Sequence, residues 1–166
     1  HALGQVFDLV VSQDRSDMQW INGLNSNLPN DISVVDVDRV EDSFHSRFDA
    51  IDRTYSYLIF NSSSRNVLLD DFYYWEHSEL DINKMKEESK HLIGKHDFTS
   101  FRSLSCGSNN PERNVKKIEI NKFGDIIEIK ITANAFLQNM VRIIVGTLLE
   151  IGKYQIKISL KEICLL

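Results

Sequence analysis

Two cysteines, two prolines and seven glycines in 166 residues leave little material for a disulfide framework, a proline-rich linker or a flexible tether. Cys106 and Cys164 stand apart from one another, outside any CxxC pair or Cys/His cluster, so a zinc site has little support and a reducing, cytoplasmic setting fits. Positive charge is not in excess either: 19 Lys and Arg against 24 Asp and Glu give a formal charge of -5. Bulk charge therefore excludes a protein that holds nucleic acid by its overall field, and any RNA contact must come from a local basic surface. Apolar runs such as Ile143-Ile144-Val145 and Leu148-Leu149 fall far short of the roughly 18 residues that a spanning helix needs. No basic stretch followed by an apolar one opens the chain, so a signal peptide is not expected.

What is present suits a packed core: 42% of residues are hydrophobic and 26% charged, which predicts one globular domain or two small lobes across residues 1–166. His1 to Val11 reads as a strand of imperfect alternation, and Ser16 as the N-cap of a helix through Trp20, Ile21 and Leu24. Ile32 to Val40 and Thr54 to Phe60 read as two further strands. Asp81 is expected to cap a helix carrying Ile82, Met85 and Leu92-Ile93 and ending at Gly94. Lys95 to Asn114 has no periodicity and reads as an ordered loop. Val115 to Ile120 and Asp125 to Ala133, where Ile127, Ile129 and Ile131 alternate with Glu128, Lys130 and Thr132, read as a β-hairpin with one buried face turning at Asn121-Lys122-Phe123-Gly124. A long helix follows from Leu137 to Ile151. The predicted class is α+β, a mixed and largely antiparallel sheet with helices on one face.

On a helical wheel, Phe136, Met140, Ile143, Ile144, Leu148 and Ile151 fill one side of that last helix, while Val141, Val145 and Leu149 carry apolar character around it. Arg142 sits among them with no carboxylate at i±3 or i±4. A guanidinium cannot shed its proton, and burial without a partner costs several kcal/mol. Arg142 therefore either meets an anion from elsewhere in the fold or from a ligand, or reaches the surface along its stem.

Four segments resemble the tRNA pseudouridine synthase A (TruA) family. They are Asn25-Ser26-Asn27-Leu28-Pro29-Asn30-Asp31-Ile32, Arg47-Phe48 through Arg53-Thr54-Tyr55-Ser56-Tyr57, Gly94-Lys95-His96-Asp97-Phe98-Thr99-Ser100-Phe101-Arg102 with Arg113-Asn114-Val115, and Ala133-Asn134-Ala135-Phe136-Leu137-Gln138-Asn139-Met140-Val141-Arg142-Ile143-Ile144-Val145-Gly146. They occur in the family's order and span most of the chain. The resemblance implies the pseudouridine synthase fold and isomerisation of uridine to pseudouridine in the anticodon stem-loop of tRNA, with no cofactor and no metal. An aspartate attacks the nucleoside, the glycosidic bond breaks, and the base rejoins the ribose through C5. The target nucleotide must first be flipped out of its stack.

By that resemblance Arg142 matches the arginine that pairs with the catalytic aspartate, and Tyr55 the tyrosine that stacks on the flipped base. From its residues alone Tyr55 reads first as a strand aromatic of the core. The family's aspartate motif ends in the two residues His1-Ala2, so the nucleophile is expected just ahead of His1. The closing strand is expected beyond the helix that includes Ile163-Cys164-Leu165-Leu166. Both ends thus read as cut, and residues 1–166 as the C-terminal portion of a catalytic domain, inactive alone.

Lys95, His96, Arg102, Arg113, Lys116 and Lys117 concentrate positive charge where phosphate contacts are expected, with Arg102 the strongest candidate from its place in the motif. Phe98 and Phe101 offer stacking surface or anchor a loop in the core. Arg53 either reaches a phosphate near the flipped base or pairs with Asp49 or Asp52. Implied partners are the tRNA anticodon stem-loop and a second copy of the intact protein as a homodimer, with no membrane. The alternative is a non-catalytic RNA-binding or dimerisation module that keeps the fold.

Overall fold

The computed structural model describes residues 2–153 and 159–163, with the backbone alone for Glu162 and Ile163. His1, Cys164, Leu165 and Leu166, which figured in the sequence reading, lie outside the described residues. The chain divides into two compact units, residues 1–50 and 51–166.

In the first unit the regular element is helix α1, Asp17–Asn25. The expected Ser16 cap is present as a capping box: the Ser16 hydroxyl accepts from the Gln19 amide at 3.4 Å, and the Gln19 side chain accepts from the Ser16 amide at 2.9 Å. The two expected strands, to Val11 and from Ile32 to Val40, are not formed; both segments are irregular and largely exposed. A strand needs a neighbour to take its backbone groups, and the Asn25 side chain takes that place at Val34, donating to its carbonyl at 2.9 Å and accepting from its amide at 2.7 Å.

The second unit carries the sheet. Its strands are β1 Arg53–Asn61, β2 Tyr74–Glu76, β3 Gly94–Asp97, β4 Glu112–Phe123 and β5 Ile126–Ala133. They lie in the order β2-β1-β5-β4-β3, with β1 and β2 parallel and every other pair antiparallel. Helices α2, Ile82–Ser89, and α3, Met140–Gly152, and the short α4, Leu160–Ile163, complete an α+β architecture as the pattern predicted. The β4–β5 hairpin matches the sequence reading most closely. Ile127, Ile129 and Ile131 are fully buried, each contributing on the order of 1.5–3 kcal/mol by leaving water. The turn is tighter than expected, with Gly124 supplying the positive φ of 59° that an L side chain disfavours. A register shift between Val115 and Lys117 lets Val115 and Ile118 both face inward, because the extra residue of a bulge reverses the alternation. Lys116, the bulged residue, instead reaches Asp52 at 2.7 Å.

Two boundaries differ from expectation. α2 ends at Ser89 and continues as a 3-10 turn over Lys90–Leu92, so Gly94 does not close the helix but opens β3 with φ 112°. Lys95 to Asn114 is not one loop, since Gly94–Asp97 pairs with Glu112–Val115. A four-residue edge strand with no buried alternation leaves no periodic signature, and its partner rather than its own pattern forms it. Met85, Leu92, Phe98, Phe101, Met140, Ile144, Leu148 and Ile151 pack with Ile59 and the β5 isoleucines into one core. Phe98 and Phe101, at 0% and 2% exposure, thus anchor their loop in this core and present no stacking surface.

One buried ion pair joins the end of β2 to the end of α3. The Glu76 carboxylate, 2% exposed, accepts from Lys153 Nζ at 2.7 Å and from the Ser78 amide at 2.8 Å. Burial alone pushes the carboxyl up, but Lys153 and Ser78 outweigh it and hold it below its ordinary value of 4.5. Stability from this pair is therefore complete above about pH 4.5 and lost as pH falls through the depressed folded value. We expect Lys153→Ala to cost about 3–5 kcal/mol in urea unfolding, because it strands a buried charge, and the loss to shrink as pH drops below that window. A loss independent of pH contradicts the assignment.

Candidate functional site

Residues 134–139 link the end of β5 to the start of α3 and contact Arg53 and Tyr55 of the predicted site residues directly. Leaving the sheet, Asn134 exchanges hydrogen bonds with Asn114 of β4: the Asn114 amide donates to Asn134 Oδ1 at 2.9 Å, and the Asn134 amide to the Asn114 carbonyl at 3.2 Å. Arg53, at the start of β1, donates from Nη1 to the Asn134 carbonyl at 2.9 Å.

Two residues on, Phe136 meets the Tyr55 ring edge-on, with centroids 5.0 Å apart and planes at 89°. Tyr55 pairs in register with Ile131 and so shares the core-facing side of the sheet, yet it is 51% exposed. The ring meets Phe136 on one side and is half exposed, so Tyr55 is not a buried core aromatic.

Gln138 holds the loop that follows β3. Its carbonyl accepts from the Ser103 amide at 3.1 Å and its side-chain oxygen from the Ser105 hydroxyl at 3.4 Å. The backbone amides of Ser108 and Gln138 also hold the Cys106 thiol below its ordinary value of 9.0, with Arg102 and Arg113 adding to the effect. Arg102 donates to the Ser108 carbonyl at 3.1 Å, and Arg113 to the Ser108 hydroxyl at 3.0 Å. The two guanidiniums thus converge on one residue. Both are half-buried and are occupied in holding the loop. His96 pairs in register with Arg113 and places Nε2 3.0 Å from the Ile93 carbonyl, with its ring edge-on to Phe98 at 6.0 Å.

Asn139 then takes a left-handed conformation, φ 63° and ψ 6°. This breaks the helical run expected from Leu137 and delays α3 to Met140. Asparagine tolerates that region better than most side chains. From there α3 runs with its apolar residues inward, and Arg142 and Gly146 are its exposed positions. Of the two expectations for Arg142, an anion partner or a place at the surface, the structure meets the second: α3 turns its apolar residues inward and leaves residues 142 and 146 exposed. Among the described residues Arg142 has no hydrogen bond or ion pair. Gly146, one turn further on, has no described atom within 4 Å of where a Cβ would stand. A glycine inside a helix costs about 1 kcal/mol relative to alanine, and no packing contact here accounts for it.

Lys95 pairs with Glu112 at 3.1 Å and Lys117 with Glu119 at 2.9 Å, as surface residues do. Among the described residues no cluster of three or more His, Cys, Asp or Glu side chains is placed to hold a metal ion. An open groove lined by Lys86, Ser89, Lys90, Ile93, Ile118 and neighbours lies between α2 and β4 and includes none of the predicted site residues. The sequence reading missed Asn134, Phe136, Gln138 and Asn139 as the residues that position the others. An asparagine directly before an apolar helix was the available signal of a break.

Residues 89–163 match the profile of a family described as tRNA pseudouridine synthase. The chain is 43% identical over 152 residues to a protein named tRNA pseudouridine synthase A from Francisella tularensis subsp. mediasiatica, which covers 92% of this chain and 59% of that relative. A protein of the same name from Hydrogenovibrio crunogenus is 42% identical over 153 residues, 92% of this chain and 58% of its own length. The chain therefore spans under two thirds of the length of these relatives.

If Arg53 clamps the 134–139 segment, Arg53→Ala costs about 1 kcal/mol and speeds amide exchange at Asn134 to Asn139. Unchanged protection across that segment contradicts the clamp.

Proposed function

We propose that this chain, a relative of the tRNA pseudouridine synthases, supplies Arg142 and Tyr55 to an enzyme that converts uridine to pseudouridine in the anticodon stem-loop of tRNA. The observation that carries the proposal is the state of Arg142. It is exposed on a helix whose other faces are packed, has no partner among the described residues, and lies six residues after the phenylalanine that holds the open Tyr55 ring. An exposed guanidinium with no partner among the described residues is free to receive an anion.

Arg142 pairs with the carboxylate of an aspartate nucleophile and keeps it ionised, because an adjacent guanidinium favours the charged form. Tyr55 stacks on the uracil once the nucleotide is flipped. The N1–C1′ bond breaks, the base turns over, a C5–C1′ bond forms, and the C5 proton leaves for solvent while N1 takes one up. Product and substrate have the same composition, so the chemistry calls for no redox partner or cofactor. His96, Arg102 and Arg113 order the loop of residues 102–114 against the tRNA backbone, giving a protein of net charge -5 a local basic surface. The setting is the cytoplasm, where tRNA matures, and the intact enzyme works as a homodimer.

The test is turnover of a tRNA transcript by this chain joined to the aspartate-bearing segment of the family, with pseudouridine counted by nucleoside analysis. Arg142→Ala is expected to lower kcat at least a thousandfold, while the Kd for tRNA changes less than about threefold; near-normal turnover removes Arg142 from the chemistry. Tyr55→Phe keeps the stacking face but removes the hydroxyl, which in this reading relays the C5 proton to solvent, so it is expected to bind tRNA normally and to turn over slowly. Full turnover restricts Tyr55 to stacking.

A further inference from the structure

On α3 every residue but two is at least partly buried, and the two exposed ones, Arg142 and Gly146, stand four apart on one strip of the helix. A glycine at an exposed, mid-helix position with no described atom within 4 Å of its missing Cβ is not explained by packing inside the unit. It has a negative φ, since the glycines of positive φ are Gly94 and Gly124, so backbone conformation does not explain it either. Alanine would favour the helix and meet nothing. What remains is clearance for something that comes against the helix.

We propose that Gly146 is a clearance position, whose missing side chain lets the backbone that carries Arg142's carboxylate partner lie directly on α3. The inference rests on the reading of Arg142 given above. The occupant is chosen by charge and reach. Arg142 is cationic, and the acid of α3, Glu150, is engaged with Lys153 at 3.2 Å, so the strip offers an approaching carboxylate an unopposed cation. An aspartate side chain is short, so the backbone that carries it stays near the guanidinium of Arg142, a residue on the same strip of α3 as Gly146. One turn away a methyl group would stand in its path. Gly146 is on this view a positioning residue that acts through the placement of the carboxylate and touches no substrate.

The experiment compares Gly146→Ala, Gly146→Val and Arg142→Ala in the protein that includes the aspartate-bearing segment. We expect Gly146→Ala to lower kcat about tenfold or more and Gly146→Val to lower it further, with Kd for tRNA and far-ultraviolet helix signal unchanged. Full turnover by Gly146→Ala overturns the inference. So does a fall in tRNA affinity matching the fall in turnover, which places RNA rather than protein over Gly146. Loss of the helix signal in Gly146→Ala also overturns it, because it contradicts the open surface at that position. The two levels fail separately: an active Arg142→Ala removes the reading of Arg142, whereas an inactive Arg142→Ala beside a fully active Gly146→Ala removes the clearance role alone.

Discussion

A short connection between a buried strand and a packed helix has to turn sharply without leaving backbone groups unpaired, and here Asn134 to Asn139 make that turn. At one end Ala133 is fully buried and at the other so is Met140, so the six residues between them are pinned by the core on both sides. The left-handed Asn139 is a cost of about 1–2 kcal/mol for a residue with a Cβ, offset by the buried packing of α3 that it makes possible. Because the connection cannot drift, every side chain attached to it is placed as well. Arg53 reaches it through Asn134, Tyr55 through Phe136, and the loop bearing Arg102 through Gln138. Arg142 follows one turn into the helix that the connection starts.

This arrangement explains why residues from β1, β4, the 102–114 loop and α3 behave as one group although they are spread from position 53 to position 142. The arginines divide by role. Arg53, Arg102 and Arg113 use their guanidiniums on backbone carbonyls or Ser108, which rigidifies the surroundings. Arg142 alone of the four makes no such contact among the described residues. A fixed frame around one uncommitted cation suits a site whose task is to hold a carboxylate in one protonation state and one orientation.

Much of the fold was legible in the sequence. The isoleucine alternation of β5 gave both the strand and its buried face, Ser16 and Asp81 gave helix starts, and Tyr55 and Arg142 stood out through the motif resemblance. What was not legible depended on partners or on local geometry. β3 exists because β4 pairs with it, and among the described residues the irregular segments on either side of α1 pair with no strand. The exposure of Arg142 depended on which side of α3 the sheet covers, which a wheel with apolar residues most of the way round does not decide. The bulge at Lys116 and the left-handed Asn139 each shift a pattern by a residue or more, and periodicity reports such shifts only as noise.

The proposal that rests on this frame is that Arg142 and Tyr55 serve a pseudouridine synthase in which Arg142 receives a carboxylate. Release of tritium from C5-labelled uridine in a tRNA transcript tests it most directly, with this chain compared against the same chain joined to the family's aspartate-bearing segment and closing strand. Release by the joined protein and none by the chain alone is the expected result. Release by neither, or by the chain alone, contradicts it.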